Sequence, residues 1–294
     1  MKKILIRLGL LIFILLAGVA TFFFVYVYPV MSSMSKTTTI QYNPKLTLVL
    51  GGGGNSGILV SDSAVLVIDT KQYGAAEELY KTVKGLAGNR PIIVVNTHVH
   101  TDHANGNKYY EGQTIIAGGN YDKAFWLKEN GKEGMPNVWV KDSMVLKFGD
   151  EIVTILNLPW SAHTQSDVVV YLQNRKMLFG GDVILNHSAP ALLSRYKANG
   201  YGYLQAFDYV AKRFDINKIV PGHGPVGGIE VLNNYRDFFL DMKVASLDQA
   251  KEKELLAKYK DWTQIPFIMS PGATEDFFKD NKVIPNFTGL MINH

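Results

Sequence analysis

The chain has 294 residues, of which 47% are hydrophobic and none is cysteine. That length is ample for a buried core in one large domain or two small ones, and the missing cysteine excludes disulfides, thiolate metal ligands, a thiol nucleophile and thiol lipidation. The formal charge of +4 belongs to the N-terminus, because Lys2, Lys3, Arg7 and Lys36 meet no acid over residues 1–36 and the remainder sets 26 acidic residues against as many basic ones. A neutral body lacks the electrostatic footprint of a nucleic-acid binder, so no nucleic-acid partner is expected.

In chain order, the cations at Lys2, Lys3 and Arg7 precede an uncharged run from Leu8 to Val30. That run exceeds the ~20 residues a helix needs to cross a bilayer. Residues 1–30 are therefore read as a transmembrane anchor or signal-anchor, with the bilayer a partner through residues 8–30. The positive flank places the body on the extracytoplasmic side, periplasmic or extracellular. A cleaved signal peptide ending at Gly18-Val19-Ala20 is the competing reading, and apolar residues continuing from Phe22 to Val30 favour the anchor. Residues 31–44, with polar Ser32–Thr39, read as a linker.

From Lys45 the pattern is layered α/β. Strands are predicted at Leu46–Leu50, Ile58–Val60 and Val65–Ile68, and a helix at Gly74–Leu86, where Ala76, Leu79, Tyr80 and Val83 recur at helical spacing. A strand at Ile92–Val95, a short one at Thr114–Ala117 and a helix at Tyr121–Asn130 follow. The second half repeats the order, with strands at Met144–Phe148, Ile152–Asn157, Val168–Leu172 and Met177–Phe179, a helix at Tyr203–Phe214 and a strand at Lys218–Val220. Two strand-rich halves, each with helices, imply two sheets packed face to face beneath helices. Ile229–Leu247 and Asp248–Asp261 read as helices of a C-terminal extension over 229–294, following a body over 45–228.

After the strand Ile92–Val95 comes Thr97-His98-Val99-His100-Thr101-Asp102-His103, which holds three of the seven histidines. Neutral imidazoles and a carboxylate are ligands that borderline ions such as zinc prefer. Extended backbone repeats its direction every second residue, so His98 and His100 can face one ion, with Asp102 and His103 placed for a second. Three further residues sit at strand ends: His163 in Trp160-Ser161-Ala162-His163, Asp182 in Gly180-Gly181-Asp182, and His223 in Pro221-Gly222-His223-Gly224. Glycines there let the backbone turn sharply.

This ordered set, His-x-His-x-Asp-His, then His, Gly-Asp and Gly-His, resembles the metallo-β-lactamase-fold hydrolase superfamily over about residues 45 to 228. The resemblance implies a four-layer αββα sandwich binding two divalent ions, zinc first and iron or manganese as alternatives. His98, His100 and His163 would hold one ion and Asp102, His103 and His223 the other, with Asp182 bridging. Asp102 would also orient the nucleophile and shuttle its proton. Asp69, ending the run Val65–Asp69, is similar to the family's carboxylate that supports the histidine loop. Ser161-Ala162 stands where the family often has Pro-Gly, which alters loop geometry and no ligand.

The implied chemistry is hydrolysis of a small ester, thioester, lactone or lactam, because ions so placed activate water and polarise a carbonyl. Among the branches, the general hydrolase and hydroxyacylglutathione hydrolase-like ones fit best. Dedicated zinc β-lactamases lack the second-site histidine or the bridging aspartate and often use cysteine. A β-lactamase proper, a mononuclear iron dioxygenase on the same fold and a non-catalytic metal-binding scaffold are the alternatives. His187, Tyr201 and Tyr203 are candidates for the substrate pocket, and Tyr196 for an oxyanion donor or the pocket rim. The Gly51–Gly57 run reads as a flexible hairpin loop beside the site rather than an anion cradle, since no Lys-Ser/Thr ending follows. Trp126 and Trp139 read as core, and His294 as a frayed end.

Overall fold

The computed structural model describes residues 2–29, 32, 36–120, 123–265 and 269–280. Tyr121 and His294 lie outside the described residues. The apolar N-terminal run forms a helix α1 (Lys2–Phe22), continued as a π-helical turn over Phe23–Val27. From Lys3 to Val27 it is long and apolar enough to cross a membrane, and none of its most apolar window is buried against the body.

The body holds two sheets. The first runs in spatial order through β1 (Thr37–Asn43), β2 (Leu46–Gly51), β3 (Ser56–Val60), β4 (Val65–Ile68), β5 (Ile92–Val95), β6 (Thr114–Gly118) and β7 (Val138–Val140). The second contains β8 (Ser143–Phe148), β9 (Glu151–Asn157), β10 (Val168–Leu172), β11 (Met177–Gly181) and β12 (Lys218–Pro221), ordered β12-β11-β10-β9-β8. Pairing is antiparallel from β1 to β4 and parallel from β4 to β7.

Side-chain alternation explains how the layers stack. On β4, Leu66 and Ile68 join an apolar layer with Val168, Val170 and Leu172 of β10, so the two sheets meet face to face. The alternate residues Val65 and Val67 face outward onto helix α2 (Tyr73–Ala87) through Leu79 and Val83. On the far side, Val169 and Tyr171 meet α5 (Gly200–Arg213) and α6 (Ile229–Leu247), which follow the short helices α3 (Thr101–Ala104) and α4 (Lys123–Asn130). Strands buried on both faces read as continuous β-branched runs, as Val168–Val170 does.

The stretch 37–43, read above as linker, is the edge strand β1 and pairs Thr38 with Leu50 and Ile40 with Leu48. Its Thr and Ile residues carry β propensity, but residues 37–42 are exposed, so no hydrophobic alternation marks them. Ile229–Leu247 is likewise no outlying appendage. Val231, Leu232, Tyr235, Phe238 and Phe239 are buried with Tyr203 and Phe207 in one apolar cluster. Two short helices follow, α7 (Gln249–Lys258) and α8 (Pro271–Asp280), and Phe278 of α8 closes over Gly200. Trp126 is 1% exposed, donates its indole N–H to the Gly134 carbonyl and meets Trp139 edge-on, as core residues do.

Because Phe238 is fully buried, Phe238→Ala is expected to destabilise the body by about 3–5 kcal/mol in denaturant unfolding. Leu247→Ala, on the same helix but 69% exposed, should change stability by under about 0.5 kcal/mol. Equal effects would mean that α6 is not part of the core.

Candidate metal centre

Each chemical side chain sits where a strand runs out. β4 ends just before Asp69, β5 leads into His98–His103, β9 leads to His163, β11 ends beside Asp182, and β12 leads to His223. The two sheets are tied at this rim, since the Val168 N–H donates to the Thr97 carbonyl at 2.7 Å and the Asn55 N–H to the Gly222 carbonyl at 2.8 Å.

The structure brings all seven predicted ligands together. One group is His98, His100, His163 and Asp182, and the other Asp102, His103 and His223; within each, the potential donor atoms lie within 4.8 Å of one another. Asp182 divides its oxygens between them. Oδ2 is 3.3 Å from His163 Nε2 and 4.0 Å from His98 Nε2, whereas Oδ1 is 3.1 Å from His103 Nε2 and 3.4 Å from His223 Nε2. Asp102 Oδ2 lies 3.1 Å from His223 Nε2 and 3.7 Å from His103 Nε2.

Hydrogen bonds beneath the rings fix which nitrogen points inward. The Thr97 hydroxyl donates to Asp69 Oδ2 at 2.7 Å, so its oxygen accepts from His98 Nδ1–H at 3.1 Å. His103 Nδ1–H donates to Asp69 Oδ2 at 2.7 Å. The Tyr203 hydroxyl donates to the Asp182 carbonyl at 3.0 Å and accepts from His163 Nδ1–H at 2.9 Å. Each ring therefore turns an Nε2 toward the centre, with the opposite nitrogen tied down.

The donor set fits divalent ions. The Nε2 atoms of His98 and His103 and Oδ1 of Asp182 are buried without a hydrogen-bond partner, and buried polar atoms are rarely left so. His163 Nε2 and His100 Nδ1 stand 2.9 Å apart, a spacing that two lone pairs keep only with a cation or proton between them. Burial holds His98 well below the usual imidazole range and takes His163 down to about 3 and His100 to about 4. These rings are neutral, as ligands must be. Burial also opposes charge on His103 and His223, but there the carboxylates prevail. Asp182, Asp69 and Asp102 raise His103 well above its usual value, and Asp182 and Asp102 lift His223 to about 9.

The glycine-rich run is packed, not loose. Gly54 donates to the Asp102 carbonyl at 2.9 Å, and a Cβ there would fall into the His103 ring. Asn55 donates its side-chain amide to the Pro221 and Gly224 carbonyls, both at 2.9 Å. Beneath the run, fully buried Lys71 points its ammonium at the carbonyls of Val49 (2.9 Å), Gly54 (2.7 Å) and Gly51. Burial lowers Lys71 to about 7 against the pull of Asp69 and Asp102, but three acceptors use three ammonium hydrogens, so this geometry requires the charged form. Inward-facing carbonyls are also the opposite of an anion cradle.

The pocket residues divide. His187 lines a cavity of about 430 Å³ that opens onto His223 and is walled by Asn55, Asn186 and Thr263. Its backbone is left-handed (φ 54°) and is held by the Thr263 N–H at 2.9 Å. Tyr201 and Tyr203 do not line that cavity. Both lie on α5, where Tyr201 packs edge-on against Phe278 and buried Tyr203 supports His163. Tyr196 packs its ring edge-on against His100 at 4.1 Å and donates its hydroxyl to Glu129, so it is a rim residue.

Sequence reasoning missed Thr97, the support role of Tyr203, and Lys71. Thr97 opens the histidine stretch, and a lysine three residues after the buried strand Val65–Ile68 was the signal for Lys71.

Residues 49–223 match the family model described as the metallo-beta-lactamase superfamily. Over 171 residues the chain is 25% identical to acyl-coenzyme A thioesterase MBLAC2 of Homo sapiens, matching 50% of this chain and 61% of that protein. The chain thus spans less than two thirds of the human relative. Metallo-beta-lactamase type 2 of Bacillus cereus is 30% identical over 176 residues, covering 59% of this chain and 68% of that protein. Among solved structures, a metallo-beta-lactamase from Pontibacter korlensis superposes with a TM-score of 0.60 at 23% identity, over 70% of this chain and 99% of that one. The sec-alkylsulfatase Pisa1 from Pseudomonas sp. superposes at 0.68 and 15% identity, over 87% of this chain and 52% of that one. These likenesses show the fold.

Three measurements check this geometry. Tyr203→Phe removes the acceptor for His163 Nδ1–H and should weaken metal affinity about 10–100-fold in chelator competition. Lys71→Met leaves buried carbonyls unpaired and should cost about 3 kcal/mol or more in denaturant unfolding. At pH 7 the metal-free protein holds charged His103 and His223, so ion binding should release about two protons per chain, read by calorimetry in buffers of differing ionisation enthalpy. Release of none would refute the raised pKa values.

Proposed function

The chain belongs to the metallo-beta-lactamase superfamily, and on that premise we propose that it is a membrane-anchored hydrolase using two divalent ions, zinc foremost, on a small ester, thioester, lactone or lactam. The carrying observation is Asp182, whose two oxygens face different groups of imidazoles at 3.3 Å and 3.1 Å. A carboxylate so divided suits a pair of ions. Ions there would be held by His98, His100 and His163 on one side and by Asp102, His103 and His223 on the other, with Asp182 shared between them. When bound they supply Lewis acidity for the scissile carbonyl and make water a nucleophile near neutral pH.

The chain's own residues supply position and proton handling. Asp102 is the most open carboxylate of the set, its side chain 24% exposed. Burial resists its charge, but His103 and His223 hold it well below the usual carboxylate range, so it is ionised and can accept a hydrogen bond from attacking water and orient it. Thr97, Asp69 and Tyr203 hold the rings in the donor tautomer. The cavity beside His223 admits the substrate's polar part, with His187 on its wall.

The thioester reading is supported by the thioesterase relatives. The Bacillus cereus relative favours a lactam instead, and the absence of cysteine together with the intact second-site histidine weighs against it. The basic flank of α1 supports a body outside the cytoplasm.

The test is ion content and turnover of the full chain on thioester, lactone, β-lactam and phosphodiester substrates. About two zinc ions per chain are expected, and a chelator should abolish activity. Asp102→Asn should lower kcat at least about 100-fold with the fold retained by circular dichroism. Wild-type turnover in that variant would sink the mechanism, and a single iron without hydrolysis would point to oxygen chemistry.

A further inference from the structure

The cavity that opens onto His223 is built partly from the segment that leads out of α1. Lys36 and Thr38 line it together with Asn55, His187 and Thr263. Thr37 pairs opposite Gly51, the first residue of the glycine run, so the chain enters the body at the wall of the site. Only residues 28–35 separate Lys36 from Val27, the last residue of the membrane-length helix. Nine residue steps span at most about 30 Å. The cavity mouth is therefore confined near any bilayer that holds α1.

The cavity's chemistry adds a second constraint. Most residues that line it carry polar side chains, Thr38, Asn55, Asn186, His187 and Thr263 among them, and Leu50 and Pro225 are the larger apolar ones. A long acyl chain finds no apolar channel there, although ligand pockets for apolar groups are lined mostly by apolar side chains. Outside the mouth the surface changes character. Ile40, which shares a face of β1 with Thr38, is 40% exposed, and Tyr42 is 41% exposed. Such residues beside an anchor suit the headgroup layer, where amphipathic rings and apolar side chains settle.

We propose that the substrate is an amphiphile presented at the bilayer surface: its polar, scissile end enters the cavity beside His223 while its acyl chain stays in the membrane. This rests on the hydrolase and anchor readings above. Water's oxygen bonds to the carbonyl carbon, the acyl–sulfur or acyl–oxygen bond breaks, and the leaving thiol or alcohol takes a proton. The fatty acid stays in the bilayer and the polar fragment leaves into water.

The experiment uses the full chain in phosphatidylcholine vesicles with two probes sharing one head, S-palmitoyl- and S-butyryl-N-acetylcysteamine. The first partitions into the bilayer and the second stays in water. A flexible Gly-Ser insertion of 30 residues between Ser35 and Lys36 then lengthens the tether, diluting the site near the surface as local concentration falls with linker length. The expected result is a palmitoyl preference in kcat/KM that drops about tenfold on insertion, with the butyryl value unchanged. A preference that survives the insertion, or none at the outset, overturns the proposal. Loss of turnover on both probes with ions bound would instead overturn the hydrolase reading, and a chain washed from vesicles by alkaline carbonate would overturn the anchor; either takes the proposal down with it.

Discussion

One imidazole lies between two carboxylates, and the site is built outward from it. His103 donates Nδ1–H to Asp69 at 2.7 Å and turns Nε2 toward Asp182 at 3.1 Å. Asp69 follows a strand of the first sheet and Asp182 a strand of the second, so one ring joins the two halves of the sandwich at its rim. Asp69 also accepts from the Thr97 amide and hydroxyl, each at 2.7 Å. Losing Asp69 would free His103, Thr97 and, through Thr97, His98. Tyr203 does the same work from the second sheet's helix, tying His163 to the Asp182 backbone.

Gathering this much polarity in a dry place carries a desolvation cost that only good pairing offsets. The fold meets it by placing the ligands on strand ends whose backbones are already cross-linked. The glycine run then closes the remaining gap, since only a residue without Cβ fits against His103 at Gly54. Its turned-in carbonyls need a donor, and the stem of Lys71 carries one through the core. A flexible surface loop at this position would leave Asp102 and His103 open to water. Lys71 is thus a stability element with a functional consequence.

Most of the architecture was legible because the strands are buried on both faces and so read as runs such as Val65–Ile68 and Val168–Leu172. The convergence of the histidines was legible because their spacing and strand-end positions are local. What was not legible depends on tertiary contact. Strand β1 hides because its side chains are exposed and carry no alternation. β7 is three residues long, too short for a periodic signal. Tyr203 reads as a pocket candidate from its place in the chain, yet helix α5 turns it under His163, and only packing against Phe239 and Tyr235 decides that. Lys71 looks like a surface lysine until its partners, 17 to 22 residues upstream, are known.

The identity of residue 182 bears most on the chemistry. A carboxylate offers two oxygens that can face different ions, and the distances to His163 and His103 show one oxygen turned each way. A thiolate would offer one soft sulfur and commit to one ion. Around this divided carboxylate the potential donors form two groups, three imidazoles on one side and two imidazoles with Asp102 on the other. The asymmetry in solvent access, 24% for the Asp102 side chain against 9% for Asp182, separates a carboxylate enclosed among the imidazoles from one that meets solvent at the rim.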